Sequence, residues 1–191
     1  MSPAERRDPF ACLVLAAGAG ARFGGPKALA KLPSGERFLD AVVRTALAAG
    51  ADPVVAVVAP GVTPEPPAAW VENPAARGEQ IVSVRLGLVR LRESSVLGTL
   101  LWPVDHPFVG VESVLAVVDG FRRTGAGIVI PTRDGRRGHP SFFARTLWDA
   151  LDGAVEGGAR AVIQQHASQV LEVPVPDAGV LRDIDTQDDM P

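Results

Sequence analysis

The sequence has a single cysteine in 191 residues. That excludes an intramolecular disulfide and any zinc site built from cysteine thiolates. Cys12 falls inside an apolar run and reads as a buried structural thiol. Histidine is also scarce, with three residues, too few for a histidine-rich metal centre. No serine stands in a Gly-x-Ser-x-Gly setting, so a nucleophile elbow is missing. Neither sign of charge dominates. The formal net charge of −3 argues against a general nucleic-acid or membrane surface, and no apolar run approaches the ~20 residues of a transmembrane helix. The first nine residues carry no apolar signal region, so the expected location is cytoplasmic.

What is present is globular. Hydrophobic residues make up 47% and charged residues 21% of the chain, a balance that excludes general disorder. A chain of this length can bury roughly 70% of its unfolded surface. The expected organisation is a polar, proline-bearing leader over 1–9, then one domain over 10–191. Within it, apolar runs at 10–16, 53–60, 96–104, 128–130 and 170–175 read as strands. Stretches at 37–49, 79–91, 111–121, 144–150 and 159–165 read as helices. Residues 61–70 read as a proline-rich connection and 71–74 as extended or turn-like. Asp134-Gly135 is a hairpin signal, with Phe142 and Phe143 on its returning arm. Alternating strands and helices predict an α/β fold: three layers, with a mostly parallel open sheet and helices on both faces. Ligands of such sheets sit at the carboxyl ends of the strands.

One stretch of this kind stands out. The first strand runs into Leu13-Val-Leu-Ala-Ala-Gly-Ala-Gly-Ala-Arg-Phe-Gly-Gly-Pro-Lys27. Gly18 and Gly20 let the backbone approach a ligand closely, and backbone N–H groups in such a loop can cradle phosphate. Arg22 and Lys27 add positive charge. The loop fails the dinucleotide fingerprint, because Phe23 stands where the third glycine belongs. It also fails the P-loop pattern, because Pro26 separates Gly25 from Lys27 and Ala28 offers no hydroxyl.

The remaining pattern, Leu-Ala-Ala-Gly-x-Gly-x-Arg-Phe-Gly-x-Pro-Lys, closely resembles the signature loop of the MobA-like nucleotidyltransferases. Four further blocks follow in the family's order: Asn73-Pro74 with Gly78 through Ser83 to Gly87-Leu88, Asp105-His-Pro107, Gly138-His-Pro140, and Asp183-Ile-Asp185-Thr186. The resemblance implies a Rossmann-like nucleotidyltransferase fold and transfer of a nucleoside monophosphate from a triphosphate to a phosphorylated small-molecule acceptor. By the same comparison, Leu15, Ala16, Ala17, Gly18, Gly20, Arg22, Lys27, Asn73, Ser83 and Asp105 bind the nucleotide. Lys27, Arg22 and Asp105 carry the catalysis. Asp105, Asp185 and Asp183 hold Mg²⁺, and Gly138, His139 and Pro140 face the acceptor.

The Ala-Ala-Gly form of the loop is similar to the molybdenum cofactor cytidylyltransferase branch, whereas the guanylyltransferase branch typically carries Leu-Ala-Gly-Gly. That implies CTP as donor, a molybdopterin acceptor, and docking to a molybdoenzyme or cofactor chaperone. His106 departs from that branch, where Gln is usual, as does the segment from Ala75 to Gln80. Two rivals remain: transfer to a sugar phosphate or another phosphorylated alcohol, and a non-catalytic nucleotide-binding or cofactor-delivery protein. His139 reads either as an acceptor contact or as a turn cap. Arg133, Arg136 and Arg137 read either as acceptor attraction or as a solvated hairpin tip. Trp70, Trp102 and Trp148 read either as core or as a base-stacking surface.

Overall fold

A computed structural model describes residues 8–75, 80–154 and 157–190. The leader expected over 1–9 falls largely outside these residues, as do Glu79 and Gly78 of the second helix block. Two fully buried strands, β1 (Ala11–Ala16) and β2 (Val54–Val58), pair in parallel at the centre. Their continuous apolar sequences follow from being covered on both faces. β4 (Gly98–Pro103) pairs in parallel with the other side of β1 and is equally buried. β3 (Ala69–Glu72) adds a parallel edge beside β2. It starts inside the stretch expected to be a connection. Its alternating half-buried and exposed residues are the mark of an edge, which hides it among the prolines that precede it.

The far half of the sheet is where the order departs from sequence. β5 (Ile128–Arg133) turns through Asp134 and Gly135, both at positive φ, into the short β6 (Arg136–Arg137). β7 (Ser141–Ala144) then returns between β4 and β5, antiparallel to both. β8 (Val170–Pro174) lies parallel to β5. The sheet order is β3-β2-β1-β4-β7-β5-β6, with β8 against β5.

Helices α1 (Phe38–Ala48) and α3 (Val111–Thr124) cover one face, and α2 (Gln80–Leu91), α4 (Trp148–Gly153) and α5 (Gly158–Gln165) the other. α3 runs past Phe121, and Gly125 stops it in the left-handed region, its N–H donating to the Phe121 carbonyl at 2.8 Å. The segment expected as a helix over 144–150 begins instead as a 3-10 turn, Arg145–Leu147. Alternate residues of β1 feed the two cores: Cys12, Val14 and Ala16 face α1 and α3, while Ala11, Leu13 and Leu15 face α2. Trp102 and Trp148 are buried core residues, whereas Trp70 is exposed on the edge strand. No described helix is long and apolar enough to cross a membrane.

Candidate active site

The carboxyl ends of β1 and β4 are neighbours in the sheet, so the segments that follow them open onto one cleft. After β1 the chain becomes exposed at Gly18. Gly20 sits at φ 59°, and its carbonyl accepts from the N–H groups of Phe23, Gly24 and Gly25 at 2.9, 3.0 and 3.2 Å. A Cβ at Gly20 would collide with the Gly25 carbonyl, so this turn requires glycine. Among the described residues, the N–H groups of Gly18, Ala19, Gly20 and Ala21 donate to no protein acceptor. Donors left free on a loop that also carries Arg22 and Lys27 could cradle an anion. The cleft holds about 290 Å³ and is lined by Gly18, Gly20, Ala21, Arg22, Lys27, Val104, Asp105 and Asp185.

Lys27 heads a 3-10 turn (Lys27–Leu29) whose Ala28 is fully buried, which anchors the base of the side chain. Its ammonium donates to Asp105 Oδ2 at 3.2 Å and to Asp185 Oδ1 at 2.6 Å. Arg22 Nη1 reaches the other Asp185 oxygen at 3.0 Å. The hydrogen bond from Lys27 is the main cause that lowers the Asp185 pKa, with the charges of Lys27 and Arg22 adding to it. Asp185 is held here by a capping interaction: the Asp189 carboxylate accepts from the N–H groups of Asp185 and Thr186 and from the Thr186 hydroxyl. The N–H of Ile184 donates to the Asp105 carbonyl at 2.9 Å, which fastens this late segment to the end of β4.

The two carboxylates fit a divalent cation. Asp105 Oδ1 is buried and has no hydrogen-bond partner among the described residues, an acceptor left open beside the glycine loop. Mg²⁺ is commonly held by one or two carboxylates with substrate phosphates and water completing its shell. Among the described residues no group of three or more His, Cys, Asp or Glu forms a preassembled metal cage. Asp183 is exposed, makes no ion pair among the described residues and does not line the cleft.

The other residues singled out from the sequence lie around this centre. Leu15, Ala16 and Ala17 are buried, so their backbone rather than their side chains is available to a ligand. Asn73 and Ser83 are also buried. Asn73 Nδ2 donates to Ser83 Oγ at 3.0 Å, and Asn73 Oδ1 accepts from the Ala75 N–H at 2.9 Å, tying the end of β3 to α2. Gly138 and His139 line a second, larger cavity of about 610 Å³, with Leu15 and Pro103 on its near side. Gly138 packs against the Val180 backbone where a Cβ would collide, and the His139 N–H donates to the Val180 carbonyl at 2.8 Å. Pro140 follows a cis peptide bond and is buried.

The arginines divide. Arg137 lines the second cavity and pairs with Glu172 at 2.7 Å, while Arg133 pairs with Asp134 and donates to the Pro176 carbonyl. Sequence reasoning missed the α5 wall of this cavity, Arg160, Ile163 and Gln164. Its only sequence signal is the amphipathic spacing of that helix. It also missed the contact of His106 with His139, whose rings lie 4.7 Å apart and are tilted by 55°. Burial lowers the pKa of both, that of His139 to about 4, so the pair is neutral near pH 7.

A mostly parallel sheet that gathers loop amides, two cations and two carboxylates at its strand ends has the features of a site for a phosphorylated nucleotide. Comparison with known proteins agrees. The chain belongs to the MobA-like NTP transferase family: the model of the MobA-like NTP transferase domain matches residues 12–170. It is therefore a nucleotidyltransferase of that type.

A Mycobacterium avium (strain 104) protein described as a probable molybdenum cofactor guanylyltransferase is 28% identical over 184 residues, spanning 95% of this chain and 93% of that protein. The fold is shared with a crystal structure from Mycobacterium sp. strain JC1, a homologue of M. tuberculosis Rv0371c. That match has a TM-score of 0.81 and 24% identity, over 96% of this chain and 93% of the other. A structure of Rv0371c in complex with manganese matches with a TM-score of 0.74 and 24% identity, over 95% of each chain.

Proposed function

We propose that the protein transfers a nucleoside monophosphate, CMP from CTP, to the phosphate of a molybdopterin-type acceptor and releases pyrophosphate. The observation that carries the reading is the meeting of Lys27, Arg22 and the free amides of Gly18 to Ala21 with Asp105 and Asp185 in one cleft. The loop amides and the two cations receive the triphosphate. An acceptor phosphate oxygen attacks the α-phosphorus in line, the bond to pyrophosphate breaks, and Lys27 and Arg22 offset the charge that leaves. No protein nucleophile is needed, because positioning and charge stabilisation do most of this work. Asp105 and Asp185 would hold Mg²⁺, which supplies further neutralisation of phosphate charge.

The acceptor takes the second cavity, beside His139 and Arg137, across the end of β4 from the phosphate loop. Its apolar floor of Leu101, Ile130 and Phe143 suits a flat ring system rather than a bare sugar. Delivery of the product to a molybdoenzyme or its chaperone belongs to the same reading. Ala17 favours CTP, because the guanylyltransferase branch typically has glycine at that position. The guanylyltransferase name of the 28% identical relative favours GTP.

One experiment separates these choices: pyrophosphate release from CTP and GTP, each with Mg²⁺ and molybdopterin or a sugar phosphate. Release from CTP with molybdopterin is expected. Release from GTP alone keeps the enzyme and overturns the base. Release only with the sugar phosphate overturns the acceptor. Nucleotide binding with no release under any pairing makes the chain a binder and overturns the proposal.

A further inference from the structure

The cleft is closed on itself. Lys27 lies between Asp105 and Asp185 at 3.2 and 2.6 Å, and Arg22 takes the remaining Asp185 oxygen at 3.0 Å. The two cations that a triphosphate needs are therefore spent on the two carboxylates that a divalent cation needs. Exposure ranks the contacts. The Arg22 side chain is 74% exposed and its pair is weak, whereas the Lys27 side chain is only 14% exposed. The Lys27 ammonium is the cation that a metal must displace.

We propose that Lys27 is a placeholder cation, so that the carboxylate pair takes up a divalent metal only after a triphosphate has drawn Lys27 away. This rests on the nucleotidyltransferase reading. Two like carboxylates facing one cleft repel each other unless a positive charge lies between them. Lys27 supplies that charge without ligand, and the metal supplies it with ligand. A phosphate chain on the loop offers Lys27 better-placed partners and leaves Asp105 and Asp185 uncompensated, which raises their affinity for a metal. By linkage, metal on the carboxylates strengthens triphosphate binding by the same factor. The arrangement orders binding: the metal does not settle in an empty site, where it would screen the loop from its substrate.

The test is Mn²⁺ binding to the nucleotide-free protein, read by the electron paramagnetic resonance signal of free Mn²⁺. It needs no turnover. Lys27→Met is expected to bind Mn²⁺ at least about tenfold more tightly than wild type, the scale of a typical two-site coupling. Arg22→Ala, whose exposed side chain carries little of the fold, is expected to gain less. If Lys27→Met does not fold by circular dichroism, Lys27→Gln, which keeps a polar head between the carboxylates without the charge, decides the matter, and no gain in Mn²⁺ affinity there overturns the placeholder. Equal affinity in wild type and Lys27→Met also overturns it.

Metal-free CTP and GTP binding, measured in parallel with EDTA, keeps the two ideas apart. A gain in Mn²⁺ affinity with no metal-free triphosphate binding overturns the proposed order, because the triphosphate must bind before the metal. Triphosphate binding with no gain overturns the placeholder and sustains the nucleotidyltransferase reading.

Discussion

Lys27 Nζ stands 2.6 Å from Asp185 Oδ1, across 158 positions of the sequence. The contact joins the loop that follows the first strand to a carboxylate beyond the last one. Lys27→Ala is expected to lower turnover by on the order of 10²–10³, as for other preorganised charge contacts on a reacting centre. Steady-state pyrophosphate release checks this, and unchanged turnover would remove Lys27 from the catalytic set.

Asp183 and Asp185 separate on the same ground. Asp185 meets Lys27 and Arg22, while Asp183 is exposed and pairs with nothing among the described residues. Asp185→Asn is expected to cost about tenfold or more in turnover and to raise the Mg²⁺ concentration needed for half-maximal rate. Asp183→Asn is expected to leave both close to wild type. A reversed pattern would move the second carboxylate role to Asp183.

Gly20 and Gly25 test the loop backbone. A side chain at Gly20 meets the Gly25 carbonyl and a left-handed backbone, whereas Gly25 has open space and no positive φ. Gly20→Ala is expected to weaken triphosphate binding by tenfold or more, about 1.4 kcal/mol, for a strained backbone position of this kind. Gly25→Ala is expected to change it little. Isothermal titration with CTP and GTP reads both, and equal affinities in the two variants would refute the assignment.

The buried histidines predict a pH dependence of stability. The unfolded chain protonates His139 near its ordinary 6.5, but the folded protein does so only at about 4. Between those values the unfolded state binds more protons, so stability is complete above about pH 6.5 and falls as pH drops toward 4. The loss from His139 reaches about 3 kcal/mol at most. His106 shifts in the same direction and adds to it. Urea midpoints measured from about pH 7.5 down to about pH 4.5 are expected to fall, and His139→Gln to flatten part of that slope. A midpoint unchanged across the window would contradict the burial of the pair.

Much of this was legible along the chain. β1, β2, β4, α1 and α2 carry their own signals, because a strand buried on both faces must be continuously apolar and a covering helix must repeat its apolar face. β3 was not, because an exposed edge relaxes that requirement at Trp70 and Glu72. Nor was the place of β7. Phe142 and Phe143 announce a strand, but only the width left between β4 and β5 decides that it lies there, antiparallel to both.

The site divides in the same way. Arg22, Lys27, Asp105 and Asp185 each stand in a motif, so their presence in one cleft was expected. Their mutual pairing was not, since no local pattern records which cation faces which carboxylate before a ligand arrives. The α5 wall and the paired histidines are tertiary facts in the same sense: His106 and His139 lie 33 positions apart in the sequence, and the His139 N–H donates to the Val180 carbonyl where the two rings meet.

The fastening of Ile184 to Asp105 has a consequence for the chain during its own synthesis. The glycine loop and Lys27 leave the ribosome early, and Asp105 follows midway. Asp185 arrives after every strand of the sheet has been made. Until then the loop has half of its counter-charge and the end of β4 lacks its late partner. A nascent chain can thus bury most of its core while its cleft is still incomplete, and ligand competence is gained in one late step.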